Sequence, residues 1–243
     1  MKTTYLFGKK ALEDAINNHL DLHVVYLTQN QQQLIARLKQ LNINYQIKPK
    51  AFLDSLVKDK KSQDVVFVVD TPNKPISLNE LLQKLANQPK ALILMLDEIQ
   101  DLGNLGAILR TANGFGVDAV IYKKDHQADP FNEVVIKTST NAVSYLTLCE
   151  TANLSLAIDK LKKSGFWIYV SCLDKNSSSY HTQNYPDKSV IVVGNEYKGV
   201  SSLVIKNSDI KIHIPQCGQV QSLNVSVATG ILLADYRLKQ NRG

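Results

Sequence analysis

From Ala91 onward the chain repeats one pattern: a short, almost unbroken apolar run, a polar turn, then a helix-like segment. The runs are A-L-I-L-M-L-D from Ala91, A-V-I-Y from Ala119, Y-L-T-L-C-E from Tyr145, F-W-I-Y-V-S-C from Phe166, S-V-I-V-V-G from Ser189 and I-K-I-H-I-P from Ile210. Helical segments lie near Leu105–Gly114, Asn132–Lys137 and Leu154–Lys163; a short helix follows the fifth run and a long apolar one ends the chain. A strand that is apolar on both faces must be covered on both, and a helix-length crossover lets successive strands run parallel. The expected fold class is therefore α/β, with a parallel sheet and helices on both faces. Ligands of such sheets bind beyond the carboxyl ends of the strands. Three of those ends carry unusual loops: Asp97–Asn104, Gly194–Val200 and Pro215–Ser222.

The first third differs. Helix-like segments at Gly8–His19 and Gln31–Leu41 alternate with β-rich runs at His23 and Asp64, reading as a small α/β unit. Two prolines in T-P-N-K-P-I, Thr71 to Ile76, disfavour helix and remove backbone donors. They set the expected organisation: residues 1–72 as one domain, 73–88 as a linker and connecting helix with Ser77 as N-cap and Glu80 closing a capping box, and 89–243 as the second domain. The net charge is +6, and residues 1–88 hold 12 Lys+Arg against 8 Asp+Glu, so the basic excess favours the first domain and suits a polyanionic partner. Cys149, Cys172 and Cys217 show no paired spacing and the five histidines no ligand spacing, which argues against disulfides and a metal. No apolar run approaches the roughly 18 residues of a membrane span, and charges interrupt any signal-peptide core, so a cytoplasmic protein is expected.

No glycine-rich dinucleotide or triphosphate fingerprint is present. In the first loop Asn104 precedes an apolar-periodic helix, where a plain N-cap competes with a functional role. Arg110 interrupts an apolar stretch six positions on, and the two share a face only if Asn104 stays outside the helix. Glu196, between Gly194 and Gly199, either balances a helix dipole or acts in the site. In the third loop Gln216, Gln219, Gln221, Ser222 and Asn224 lie between segments that read as buried, so a buried, ligand-serving loop is expected; Cys217 reads as a small filler.

Three ordered stretches, N-L-G-A-I-L-R-T-A, V-G-N-E-Y-K-G-V-S and I-P-Q-C-G-Q-V-Q-S-L-N-V-S-V-A, strongly resemble the three motifs of the SpoU (TrmH-like) RNA 2'-O-ribose methyltransferases. The resemblance spans roughly Leu96 to Arg237, and Y-L-F-G-K-K-A-L-E-D-A-I looks like the start of the small ribosomal-protein-like substrate-binding domain carried by members acting on ribosomal RNA. It is nearest the large-subunit (23S) ribosomal RNA guanosine methyltransferases.

The resemblance implies a deep C-terminal trefoil knot, S-adenosylmethionine bent within it, and a homodimer acting on RNA with neither metal nor membrane. Carried over by position, Gly194, Ile214, Leu223 and Asn224 hold the cofactor, while Asn104, Arg110, Glu196, Ser222 and Asn224 serve catalysis. Arginine stays protonated, so Arg110 is expected to stabilise a developing alkoxide rather than act as a base. Four positions depart from the family pattern. Leu102 stands for Pro, Tyr197 for Gly, Gln216 for Met, and Asn141 lies where Gly usually precedes Ala; a Tyr forced to positive φ would be strained. The rival readings are a transfer RNA 2'-O-methyltransferase and a noncatalytic RNA-binding ribosome-assembly factor on the same scaffold.

Overall fold

A computed structural model describes residues 3–17, 22–57, 62–70, 74–219 and 222–240. The chain divides into two compact units, Met1–Pro72 and Asn73–Gly243. Thr71–Asn73 of the proline-rich stretch, and Gln221, lie outside the described residues.

The first unit runs β1 (Thr3–Phe7), α1 (Lys9–Asn17), β2 (Leu22–Leu27), α2 (Gln32–Gln40), β3 (Tyr45–Ile47), α3 (Lys50–Leu56) and β4 (Val65–Asp70). Its sheet order is β1-β4-β2-β3; β4 is antiparallel to both neighbours, and β3 adds parallel to β2. The run Val65–Val69 is buried throughout, as a central strand covered on both faces must be. The sequence reading passes over β1, β3 and α3: β3 is three residues on a sheet edge, too short to show a period, and α3 spans only seven.

The second unit begins with α4 (Leu78–Leu85), capped by a Ser77–Glu80 box in which the Glu80 backbone N–H donates to Ser77 Oγ and the Ser77 backbone N–H donates to Glu80 Oε2. Then come β5 (Ala91–Asp97), α5 (Leu102–Gly114), β6 (Ala119–Lys123), α6 (Glu133–Thr138), β7 (Leu148–Thr151), α7 (Leu154–Lys163), β8 (Trp167–Ser171), β9 (Ser178–Ser179), β10 (Lys188–Gly194), α8 (Ser202–Asn207), β11 (Ile210–His213) and α9 (Val225–Gln240). The seven strands form one parallel sheet of order β7-β6-β5-β10-β8-β11-β9. The two-residue β9 lies in what reads as a polar loop.

Period-2 alternation divides the core between the faces. Ala91, Ile93 and Met95 of β5 join Val190 and Val192 of β10 under α4, α7 and α8. On the other face α5 packs against α6 and α9. There Tyr169 of β8, Tyr185 and Tyr236 of α9 stack with ring centroids 4.7 and 5.4 Å apart. The last helix is pinned at its far end: Arg237 Nε donates to Phe115 O at 2.5 Å, and Gln240 Nε2 to Tyr185 O at 2.9 Å.

One boundary departs from expectation in a way that affects the site. Helix α5 starts at Leu102, three residues before the apolar period declares itself, because Asp101 caps it by accepting from the Asn104 backbone N–H at 2.7 Å. Asn104 is therefore inside the helix and is not its cap.

The α5–α6 contact is close enough to need glycine at position 106. A Cβ there would lie 2.6 Å from Thr138 Cβ and 3.2 Å from Val135 O. Gly106→Ala is expected to lower stability by about 1–3 kcal/mol despite alanine's better helix propensity. A shift in the urea midpoint at unchanged m-value would register it.

Candidate active site at the strand ends

β5 leads outward to β6 and β7 on one side, and the chain then returns to build β8 and β11 on the other, with β10 inserted beside β5. The reversal lies between β5 and β10, the position where open parallel sheets bind ligands. The loops after β5 and β10 meet there. Ser201 backbone N–H donates to Asp97 Oδ2 at 2.8 Å, and Asp97 is buried. Asn195 uses its whole amide: Nδ2 donates to Glu98 O at 2.8 Å, while Oδ1 accepts from the Tyr197 and Lys198 amides at 2.9 and 3.1 Å. Glu98 takes φ +62°, and its carboxyl is held below its ordinary range by the hydrogen bond from Lys123, whose Nζ lies 2.6 Å away.

The third loop joins them through side chains. Asn104 Nδ2 donates to Glu196 Oε1 at 3.2 Å, and Asn104 Oδ1 accepts from Asn224 Nδ2 at 2.9 Å. Asn224 Oδ1 in turn accepts from the backbone N–H and hydroxyl of Ser226 at 2.8 and 2.6 Å. One polar chain, Glu196–Asn104–Asn224–Ser226, thus links the segments following β5, β10 and β11.

Two clefts flank it. The larger, about 410 Å³, falls within the ~300–1,000 Å³ of small-ligand sites; Gly194, Ile214 and Leu223 line it with Gln216, His213 and Cys172. The smaller, about 300 Å³, is lined by Gln100, Asp101, Asn104 and Asn224. Glu196, Tyr197, Ser222, Leu223 and Val225 border both.

Arg110 stands apart. It is exposed and lines neither cleft. With Asn104 inside the helix, six residues turn Arg110 roughly 120° away and carry it about 9 Å along the axis.

The third loop is not the buried segment that its flanks suggest. Gln219, Ser222 and Asn224 are exposed, and so is Cys217, which therefore fills no core. Water can satisfy those groups, so their burial cost is not the reason for the loop's composition. Gln216 differs: its Oε1 is buried without a partner. The residues that sequence reading assigned no part here, Asp97, Asp101 and Asn195, all hold backbone; an acid ending a strand and an Asn opening a turn were the available signals.

The larger cleft combines apolar walls with polar groups, which fits a ligand carrying both kinds of surface. Ile205, Ile214, Leu223 and Val225 give it apolar walls, and the orphaned Gln216 carbonyl is an acceptor in want of a donor. At Gly194 the backbone runs against the next turn: an added Cβ would overlap the Val200 amide nitrogen and the Gly199 carbonyl group. Among the described residues there is no cluster of His, Cys, Asp and Glu able to hold a metal ion, and no helix long and apolar enough to cross a membrane.

Comparison with known proteins gives this geometry a class. Residues 91–234 match the SpoU rRNA Methylase family, and residues 5–75 match the family described as RNA 2'-O ribose methyltransferase substrate binding. The chain is 42% identical to an uncharacterised tRNA/rRNA methyltransferase of Mycoplasma genitalium over 96% of both chains. It is 37% identical to the 23S rRNA (guanosine-2'-O-)-methyltransferase RlmB of Neisseria meningitidis over 76% of this chain and 72% of that one. The AdoMet-bound rRNA methyltransferase of Sinorhizobium meliloti shares the fold, with TM-score 0.71 and 23% identity over 97% of this chain and 87% of the other. The fold and the family match are those of an S-adenosylmethionine-dependent RNA methyltransferase. Within that class the chain belongs to the SpoU rRNA methylase family.

Gly194→Ala should force the turn 195–200 away from β10, costing about 1–3 kcal/mol of stability and the shape of the larger cleft. Calorimetric titration with S-adenosylmethionine is expected to show binding in the native protein and none in the folded variant.

Proposed function

We propose that this enzyme methylates a ribose 2'-hydroxyl of RNA, at a guanosine of large-subunit (23S) ribosomal RNA. The observation that carries the reading is the Glu196–Asn104–Asn224 chain, which sets three motif loops between a cleft suited to a cofactor and a smaller polar cleft suited to a nucleoside. The match of residues 5–75 to a 2'-O-ribose substrate-binding family supports the ribose, and the RlmB relative supports the guanosine and the 23S target. Residues 1–72 act as the RNA-binding domain, 73–88 as linker and connecting helix, and 89–243 as the catalytic domain, working in the cytoplasm.

Gly194, Ile214 and Leu223 would hold S-adenosylmethionine in the larger cleft, with Asn224 at its border with the smaller one. When bound, the cofactor supplies an electrophilic methyl carbon attached to a sulfonium leaving group. The chain's own task is to present the acceptor oxygen in line and to offset the charge that grows on it. Asn104, held at both ends of its amide by Glu196 and Asn224, is preorganised to orient the ribose. Ser222, on the rim of both clefts, stands at the passage between them.

Arg110, outside both clefts of its own subunit, would act in a cleft other than its own. Its exposure outside both clefts supports a homodimer in which each subunit lends Arg110 to its partner's site and its guanidinium stabilises the developing alkoxide. Val227 and Leu238, 51% and 60% exposed on α9, give that helix apolar surface for subunit packing. The knot is proposed with it. β11 pairs with β8 on the side away from β10, whereas α9 packs against α5, and a tail tucked through an earlier crossing would account for that return.

Arg110→Ala is expected to reduce methyl transfer to ribosomal RNA by at least about 100-fold while S-adenosylmethionine affinity, read by calorimetry, stays unchanged. Full activity in the variant would overturn the assigned role. Mapping ribose methylation in ribosomal RNA from cells lacking the protein identifies the nucleotide, and a loss confined to transfer RNA would replace the proposed substrate.

A further inference from the structure

Tyr197 is 94% exposed, although it sits at the rim of both clefts with Glu196 and Ser222. Its backbone is held by hydrogen bonds. The 195–199 turn is closed in both directions, Asn195 N to Gly199 O at 3.1 Å and Gly199 N to Asn195 O at 2.9 Å, and the Tyr197 N–H donates to the buried Asn195 side chain. The positive φ that the turn needs falls on Gly199, at +69°, and Tyr197 is not among the positive-φ residues. Backbone conformation therefore does not explain why an aromatic side chain stands here, and burial does not either.

We propose that the Tyr197 ring is a stacking platform for an unpaired base of the RNA substrate, with Lys198 beside it meeting the adjoining phosphate. The inference rests on the RNA methyl transfer proposed above. A 2'-hydroxyl reaches a recessed cleft only if its nucleotide is drawn out of a helix, which leaves unstacked base faces near the rim. An aromatic ring on a fixed turn offers such a face a partner, and with two side-chain torsions it loses little freedom on being covered. A neighbouring ammonium adds the charge that a phosphate requires and an apolar protein partner does not. The phenol adds nothing that stacking needs, so Phe should serve in its place.

The test compares the native protein with Tyr197→Gly and Tyr197→Phe. Glycine adopts any φ the turn uses, so the fold is retained. The probe is a short fluorescein-labelled single-stranded RNA, read by anisotropy in the presence of S-adenosylhomocysteine, with calorimetry for S-adenosylhomocysteine itself and sedimentation for self-association. Tyr197→Gly is expected to weaken RNA binding roughly ten-fold to a hundred-fold, and to raise KM for RNA more than it lowers kcat, while S-adenosylhomocysteine affinity holds; Tyr197→Phe restores RNA binding. Equal RNA affinity in the glycine variant and the native protein overturns the proposal. So does a glycine variant whose only defect is a weakened dimer, since the ring's partner is then a second copy of this chain. Failure of the native protein to methylate any RNA, with Tyr197 still governing RNA affinity, would count against the proposed reaction and leave the stacking site standing.

Discussion

The site depends on one buried amide. Asn195 follows β10 with a side chain whose amide nitrogen and oxygen are both spent on backbone: one bond back to the loop after β5, two forward into its own turn. A buried amide with its partners in place is directional in a way that apolar packing is not, because a wrong rotation strands donor against donor at about 1–3 kcal/mol. From that fixed turn the Glu196 carboxylate is aimed at Asn104, and through Asn104 at the tail. The geometry of three distant segments thus rests on a residue of the larger cleft's lining whose side chain is spent on backbone.

Much of this was legible in the residues. Strands apolar on both faces announced the parallel sheet, because β5 and β10 have no solvent side on which polar residues would be tolerated. The Ser77 cap with its Glu80 box marked a helix start through short-range chemistry that needs no tertiary context. What stayed hidden was set by longer range. The α5 start depends on Asp101, an acid in a run of polar residues where Asn104 made an equally good candidate. The exposure of Ser222 and Asn224 depends on where the third loop lands after leaving β11, which no local period encodes. Arg110 looked anomalous amid apolar neighbours, yet the same rotation that buries Ile108 and Leu109 carries it into solvent.

An exposed arginine is a poor catalyst where it stands. In water its field is screened, and a guanidinium in bulk solvent offers a growing alkoxide little that water does not. The same charge, brought against a cleft from which a partner surface and bound RNA exclude water, acts at a much lower effective dielectric and without reorganisation. Assembly would then be part of the chemistry, and a subunit alone would hold its ligands without supplying the charge.

The four departures from the family pattern separate the enzyme reading from the assembly-factor reading. Leu102 is the first residue of α5, where proline is favoured for its fixed φ and its missing donor; with Asp101 capping the helix, leucine keeps the same start. Asn141 takes the left-handed conformation, φ +61°, that glycine would supply, and Asn is among the few residues that tolerate it; its Oδ1 accepts from Ser144 Oγ at 2.9 Å. Tyr197 escapes the strain expected of it because Gly199 carries the turn's positive φ. Gln216 brings a carbonyl without a partner to the cleft wall, a group that favours a ligand with a donor over an empty site. A scaffold released from catalysis has no reason to keep Asn104, Glu196 and Asn224 in mutual hydrogen bonds while its neighbours change only in ways the backbone absorbs. Each substituted residue suits the conformation its position takes, and the polar chain of Glu196, Asn104 and Asn224 is closed beside them.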